Sequence, residues 1–163
     1  MIQSDFLGGL ESPLGWITIT ASANGITSVS LHQEQREPVT NNVIQQASNQ
    51  LCAYFEGKLQ EFSIPLDLSG YSEFYQRVWK HLLDIPYGTT KSYLDIAKRM
   101  GDENSVRAVG MANGKNPIAI IVPCHRVIGS NGKLVGYAGG LESKQWLLTH
   151  ELAHRPVPEH LLF

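Results

Sequence analysis

A cysteine at position 124 stands beside a histidine and an arginine, in the run Val122-Pro123-Cys124-His125-Arg126. Thiolate is the reactive form of cysteine, and nearby positive charge or a hydrogen-bonded base increases its population. An apolar run, residues 118–122, ends at Pro123, so the thiol emerges where a buried segment stops. The pentapeptide alone fits both a nucleophilic thiol and a small core residue, and the residues downstream decide between them.

The composition is that of a globular protein. The 163 residues, 42% hydrophobic and 17% charged, suit one compact domain or two small ones that share a core. The longest apolar stretch, near residues 117–123, is too short to cross a bilayer, and the first five residues lack the basic start of a signal peptide. We therefore expect no membrane partner. Because two cysteines cannot form a disulfide framework, we also expect a protein of the reducing cytoplasm.

The charges are distributed unevenly along the chain. The net charge is −2 overall, but it is −5 over residues 1–85, +4 over residues 86–140 and −1 over residues 141–163. A basic face on an acidic protein can still bind phosphate groups. The middle segment therefore suits either a nucleic-acid contact or an ordinary solvated surface.

The first 70 residues predict a small α/β domain. Residues 14–31 alternate apolar and polar side chains around the turn Asn24-Gly25, which predicts a hairpin. Residues 42–56 predict a helix that ends at Gly57, and Cys52 is interpreted as a packing residue of that helix. Residues 58–72 resemble a linker, so we place a domain boundary there, with domains at 1–70 and 71–163.

The second part is predicted to be mainly helical, which makes the fold class α+β. Helices are expected over residues 72–84, from the capping box Ser92-x-x-Asp95 to Gly101, and over residues 105–114. The last two, joined by a tight glycine turn, form a helix-turn-helix candidate, although many such pairs have no role in DNA binding. Residues 118–122 predict a buried strand.

Two features near the C-terminus point to a site. Residues 129–140 are rich in glycine, which predicts either a flexible loop or a loop whose backbone lies close to a ligand. Residues 141–151 predict a last helix with Glu151 at its C-terminal end, where the helix dipole disfavours a carboxylate. A partner such as His125 would account for that position.

Together these residues resemble the O6-alkylguanine-DNA alkyltransferase family. The resemblance is close over about residues 74–151 and only general before residue 70. It is carried by Ile85–Gly88, Ser92-Tyr93, Arg107–Gly110, Asn116-Pro117, Pro123–Ile128, Gly136–Leu141, Lys144, Trp146–Leu148 and His150-Glu151.

The resemblance implies repair of DNA by transfer of an alkyl group from O6 of guanine, and also from O4 of thymine, to the protein's own cysteine. Cys124 would be the acceptor, consumed in one turnover. His125 would be the base, acting through a water, and Glu151 would orient it. Asn116 would fasten the turn before the active site, and Tyr93 would donate a proton or a hydrogen bond to the guanine.

The resemblance also implies a partner, which is duplex DNA bound through the minor groove, and a pocket for the extruded base. The expected DNA-binding residues are Arg107, which would replace the flipped nucleotide in the base stack, and Ala108, Gly110, Ala112, Lys115 and Arg126. The expected pocket residues are Tyr93, Val127, Tyr137 and Ala138. A monomer is expected, with cooperative binding along DNA left open.

The sequence departs from the family pattern at two points. The family often has serine where Ala138 stands, but a contact through the backbone N–H survives that change, so we expect activity with altered handling of bulky adducts. The N-terminal part has only Cys52 and His32 as candidate zinc ligands, so we expect no metal and no cofactor.

Two other functions remain as alternatives. Some relatives keep the fold but replace the acceptor cysteine and only bind alkylated DNA, and the intact Cys124 argues against that. A cysteine hydrolase would use Cys124, His125 and an acid. Adjacent cysteine and histidine form a poor dyad, and no oxyanion-hole pattern is visible.

Overall fold

A computed structural model describes residues 4–156, and its architecture is α+β, as predicted. Residues 1–3 and 157–163, the outer ends of the two predicted domains, lie outside the described residues. An antiparallel sheet in the order β1-β2-β3 comes first and is followed by a helix, α1. The bounds are Phe6–Ser12 for β1, Gly15–Ser22 for β2, Gly25–Gln33 for β3 and Asn42–Phe55 for α1.

The sheet has one strand more than the predicted hairpin. β2 and β3 are the hairpin, and β1 pairs antiparallel with β2 from Phe6 opposite Ala21 to Ser12 opposite Gly15. Gly8 and Gly9 lower the strand propensity of β1, and this hides it in the sequence. The structure gives their reason, because a Cβ on Gly8 would overlap Ile44 of α1 and one on Gly9 would overlap the Ile17 carbonyl.

Helix α1 lies where residues 42–56 predicted it, with Asn41 as its N-cap. Asn41 Oδ1 accepts a hydrogen bond of 2.9 Å from the Ile44 N–H. The interpretation of Cys52 as a packing residue is wrong, since Cys52 is exposed. Tyr54, which the sequence does not mark, is fully buried instead.

As far as residue 156, the second part contains four α-helices and a short parallel pair of strands. The capping box of α3 is present, with Ser92 and Asp95 each accepting from the other's backbone N–H. α3 and α4 pack together as a helix-turn-helix, joined by Gly101 in the left-handed region. The bounds are Glu73–Leu83 for α2, Lys91–Ser92 for β4, Tyr93–Arg99 for α3, Val106–Gly114 for α4, Val127–Ile128 for β5 and Leu141–His154 for α5.

The strand predicted over residues 118–122 is wrong. These residues are a turn, in which Ile120 has a φ of 70° and Val122 N–H donates to the Ile118 carbonyl at 3.1 Å. The segment is buried, as its composition requires, but a buried apolar run does not by itself distinguish a strand from a turn. The structure attaches it to the sheet only by an isolated bridge between Ile118 and Val29.

The sheet and the helices share one hydrophobic core. The predicted linker lies within residues 56–72. This segment contacts the sheet, because Leu66 forms a parallel bridge with Ile26 of β3. His32 Nε2 and Ser143 Oγ, 2.7 Å apart, connect the end of β3 to α5. The division into domains at residue 70 stays a prediction. Within residues 4–156, no helix is long and apolar enough to cross a membrane.

Two glycines form a matched pair for testing the helix-turn-helix backbone. Neither would meet another atom within 4 Å if it carried a Cβ, but Gly101 has a φ of +88° whereas Gly114 is helical. Gly101→Ala should lower the free energy of unfolding by about 1–2 kcal/mol, because alanine is strained in the left-handed region. Gly114→Ala should raise it by about 0.4–1 kcal/mol. Urea unfolding of both variants checks this, and shifts of the same sign would contradict it.

Candidate active site

Cys124 begins a short 3-10 turn, Cys124–Arg126, that follows Pro123 directly. The residue is 6% exposed and borders a cavity of about 250 Å³. The thiol is therefore shielded, but it has an opening beside it. The lining comes from both halves of the chain, and it includes Leu31 of β3, Asn113 of α4, and Tyr137 and Ala138 of the glycine-rich loop.

Asn116 fixes the turn that precedes the thiol. Its Nδ2 donates to the Val122 carbonyl at 2.8 Å and to the Ile118 carbonyl at 3.3 Å, and its Oδ1 accepts from the Ile118 N–H at 3.0 Å. These bonds replace the ladder that a strand would have supplied. Asn116 thus holds the turn between α4 and Cys124 through these bonds, and its part in the reaction stays a prediction.

The thiol is held in its protonated form. Burial raises the pKa of Cys124, although the Asn116 amide, the Lys144 charge and the backbone N–H groups of Cys124 and His125 oppose this. A buried thiol of this kind needs a base at the moment of reaction.

His125 is fully buried and contacts Glu151, with 2.6 Å between His125 Nε2 and Glu151 Oε2. Burial lowers the pKa of His125, and the hydrogen bond and charge of Glu151 oppose this only in part. The imidazole is therefore neutral near pH 7. Because an ionised carboxylate can only accept, Nε2 must carry the proton, which leaves a lone pair on Nδ1. Nδ1 has no hydrogen-bond partner among residues 4–156.

Glu151 is ionised although it is only 1% exposed. Burial would raise the pKa of Glu151, but hydrogen bonds and charges from His125 and Arg126 outweigh it and hold the pKa well below its usual range. Arg126 Nε and Nη2 donate to the two carboxylate oxygens at 2.7 and 3.1 Å. The Gly88 N–H donates to Oε1 at 3.2 Å, and the Tyr54 hydroxyl donates to Oε2 at 2.6 Å.

Arg126 is consequently not a DNA contact, and its placement among the DNA-binding residues is wrong. It is 6% exposed, its Nη1 donates to the Ile85 carbonyl at 2.7 Å, and its other donors hold Glu151. A guanidinium paired in this way on the inside of the molecule cannot reach a phosphate. The local sequence did not reveal this, because its partner lies 25 residues further along the chain.

Two side chains hold the glycine-rich loop in place by hydrogen bonds to the Val135 carbonyl. The Tyr93 hydroxyl donates to it at 3.0 Å and Lys144 Nζ donates at 2.9 Å. Lys144 Nζ also donates to the Gly136 carbonyl at 3.3 Å. Lys144 is fully buried and its charge favours the Cys124 thiolate. The sequence marked Lys144 only as part of the signature, without a role.

The expected pocket residues are only partly brought together. Tyr137 and Ala138 line the cavity beside Cys124, whereas Val127 is fully buried in β5 and is not part of the lining. Tyr93 reaches the loop through its hydroxyl rather than the cavity wall. A larger cavity of about 510 Å³ lies on the Arg126 side, and neither Cys124 nor His125 lines it.

Helix α4 and Lys115, which directly follows it, present both small and long side chains to the outside. Arg107, Ala108, Gly114 and Lys115 are exposed, and a Cβ added to Gly110 would lie 3.9 Å from Tyr93 Cδ1. Ala112 is fully buried against the core, so its assignment to DNA binding is wrong.

The sequence did not mark Met111, which is 62% exposed on the same helix. The helical spacing of Met111 from Arg107 could have indicated its orientation.

In the described part of the chain, no group of three or more histidine, cysteine or acidic side chains could hold a metal ion.

Two family models match the chain. The first is the DNA-binding domain of 6-O-methylguanine DNA methyltransferase, over residues 73–153, and the second is the ribonuclease-like domain of the same family, over residues 7–68. The methylated-DNA–protein-cysteine methyltransferase of Mycolicibacterium paratuberculosis is 48% identical, with 91% of this chain and 93% of the relative covered. The protein of the same name from Mycobacterium leprae is 48% identical, with 94% and 96% covered.

Solved structures agree with these matches. The chain is similar to Mycobacterium tuberculosis O6-methylguanine methyltransferase, with a TM-score of 0.83 at 45% identity over 96% of this chain and 98% of the other. It is also similar to Mycobacterium tuberculosis OGT in complex with DNA, with a TM-score of 0.81 at 46% identity over 91% and 94%. Family models over both halves and relatives of nearly equal length leave one conclusion: the chain belongs to the 6-O-methylguanine DNA methyltransferase family.

Proposed function

We propose that this protein repairs DNA by moving an alkyl group from O6 of guanine to the sulfur of Cys124, once per molecule. The observation that carries the proposal is a buried hydrogen bond between neutral His125 and ionised Glu151. His125 directly follows Cys124, whose thiol borders a cavity. The names of the curated relatives, which are methylated-DNA–protein-cysteine methyltransferases, support it.

The reaction is a displacement at the alkyl carbon. Sulfur attacks in line with the bond to O6, the carbon–oxygen bond breaks, and a thioether forms. The thiol proton passes through a water to His125 Nδ1, whose lone pair is available because Nε2–H is engaged by Glu151. Glu151 stabilises the imidazolium that results, and the bonds from Arg126 keep the carboxylate in place.

The guanine leaves as an anion and needs a proton or a hydrogen bond as its charge develops. Burial, together with the nearby Cys124, raises the pKa of Tyr93, so its phenol stays protonated and can donate. Its hydroxyl now donates to the Val135 carbonyl of the loop. Binding of the base therefore requires Tyr93 to exchange that carbonyl for the guanine ring.

The exposed face of α4 is the surface we assign to duplex DNA, in the minor groove. Ala108 and Gly114 allow close approach to the groove, and Lys115 supplies a charge for phosphate. Arg107, in the first turn, would fill the space left by the flipped nucleotide. Extrusion of the base costs a few kcal/mol, and less for a damaged, poorly paired base. We propose a monomer as the acting unit.

Intact-mass spectrometry tests the acceptor directly. After incubation with an oligonucleotide that contains O6-methylguanine, the protein should gain about 14 Da on the peptide that holds Cys124, because one methyl replaces one proton on sulfur. Cys124→Ser should gain nothing and should still bind duplex DNA, whereas Cys52→Ser should react like the unmodified protein. Methylation of Cys124→Ser, or of a different peptide, would refute the assignment.

The role of Arg107 is separable from chemistry at the sulfur. Arg107→Ala should slow repair of O6-methylguanine in duplex DNA by about tenfold or more, since extrusion costs a few kcal/mol and the side chain no longer stabilises the extruded state. Its rate with the free modified base should not change. Lys80→Ala, an exposed cation on α2, is the control. Equal losses on duplex and free base would contradict a role in extrusion.

The pH dependence of transfer reports the base. Because burial lowers the pKa of His125, the imidazole stays neutral below the usual value of about 6.5, and the acid limb of the single-turnover rate should have its midpoint below that value. Above the limb the rate should be flat, because the base removes the proton from a thiol whose pKa is raised. A rate that rises tenfold per pH unit between pH 7 and 8.5 would indicate a free thiolate and contradict base assistance.

A further inference from the structure

Tyr54 joins the N-terminal half of the chain to the carboxylate of the active site. It lies in α1, is fully buried, and its hydroxyl donates to Glu151 Oε2 at 2.6 Å. The same oxygen accepts the Nε2–H of His125, also at 2.6 Å. Tyr54 is therefore linked to the proposed base through one shared carboxylate. It comes from outside residues 74–151, the part of the chain over which the resemblance is close.

The position of Tyr54 is fixed on both sides. Its carbonyl accepts a hydrogen bond of 2.7 Å from His150 Nε2, so α1 is attached to α5 at two successive residues, His150 and Glu151. Its ring packs edge-on against Phe55 at 5.5 Å and Tyr87 at 6.1 Å between ring centres. Because the ring is rigid and held in place, its hydroxyl oxygen stays at the distance and angle that a hydrogen bond to Glu151 requires.

The hydroxyl remains a donor at every pH of interest. Burial and the charge of Glu151 raise the pKa of Tyr54 well above its ordinary value, so the phenol keeps its proton. Tyr54 and His125, both at 2.6 Å, consequently compete as donors for Glu151 Oε2, which also accepts a longer bond of 3.1 Å from Arg126 Nη2. Each donor withdraws negative charge from that oxygen and weakens the bond that the other makes.

We infer that Tyr54 is a positioning residue of the alkyl-transfer site, which orients Glu151 and moderates the hydrogen bond between Glu151 and His125. The inference rests on the proposed function. It makes α1, and with it the N-terminal half of the chain, part of the reactive machinery rather than a separate structural domain. Tyr54 does not touch the reacting atoms and acts only through Glu151.

Tyr54→Phe removes the hydroxyl and keeps the ring. With one donor gone, Oε2 becomes more basic and binds the imidazole more strongly, which favours protonated His125. The acid limb of the single-turnover rate should therefore move to higher pH by about half a unit or more, part of the one to two units that a hydrogen bond to a charged group is worth. Single-turnover rates with the O6-methylguanine oligonucleotide, measured from pH 5 to 8.5, give this midpoint.

Tyr87→Phe is the matched control. The Tyr87 ring contacts Tyr54 and lies 5.7 Å from Arg126, but its hydroxyl has no hydrogen-bond partner in residues 4–156. This variant should keep the midpoint of the unmodified protein. An unchanged midpoint in Tyr54→Phe, with or without a uniform loss of rate or a lower melting temperature, would reduce Tyr54 to a packing residue and overturn the inference.

Alkylation of Cys124 by iodoacetamide over the same pH range separates this inference from the proposed function. The reagent needs neither DNA nor guanine, and because the exposed Cys52 reacts with it as well, alkylation is measured on the Cys124 peptide of proteins that carry Cys52→Ser. If the unmodified protein took no methyl from the oligonucleotide, the proposed function would fail. The shift between Tyr54→Phe and the unmodified protein would still be measurable with iodoacetamide, and its absence there would overturn the role of Tyr54.

Discussion

The structure depends on one buried carboxylate. Glu151 accepts hydrogen bonds from an imidazole, a guanidinium, a backbone N–H and a phenol, and these donors come from α1, from the segment after α2 and from the turn at Cys124. Burying a charged group costs free energy unless hydrogen bonds and an opposite charge compensate for the lost water. With Arg126 charged and His125 neutral, the cluster has no net charge, which is the arrangement that burial penalises least. The position of Glu151 at the end of α5, which the helix dipole disfavours, is explained by these donors.

The same carboxylate unites two parts of the chain that the sequence suggests are separate. A linker-like composition over residues 58–72 favours two domains, yet α1 is bonded to α5 and the sheet borders the cavity beside Cys124. Gln60 in this segment donates to the His154 carbonyl at 2.9 Å, next to the same contact. The N-terminal half therefore has a physical connection to the chemistry, which the position of the signature at residues 74–151 conceals.

Local patterns predicted the helices well, because capping residues and apolar spacing act within a few residues. Ser92, Asp95 and Gly101 all lie where the sequence predicted them. The sequence failed where a distant contact decides the outcome. Glycine is needed at Gly8 and Gly9 because neighbouring atoms leave no room for a Cβ. Residues 118–122 form a turn rather than a strand because the Asn116 side chain supplies hydrogen bonds to them.

The candidate site was predictable to a similar extent, because the motif indicates its central residues but not the contacts between distant parts of the chain. The motif, read through the resemblance, located Cys124, His125, Asn116 and Glu151. The buried state of Arg126 and Ala112 and the hydrogen bond of the Tyr54 hydroxyl each depend on a distant element of the chain. Composition and spacing contain no record of such contacts.

The proton affinities of the site suit a protein that reacts once. Ordinary cysteine and histidine pKa values differ by about two units, so moving the proton costs about 2.7 kcal/mol. Burial widens that gap here, since it raises the pKa of Cys124 and lowers that of His125. A catalyst with rapid turnover would lose rate to such a mismatch. An acceptor that forms an irreversible thioether loses little, and a thiol that keeps its proton until a lesion arrives is protected from oxidants and stray electrophiles. The burial of the thiol and the paired base thus favour preservation of the sulfur over speed.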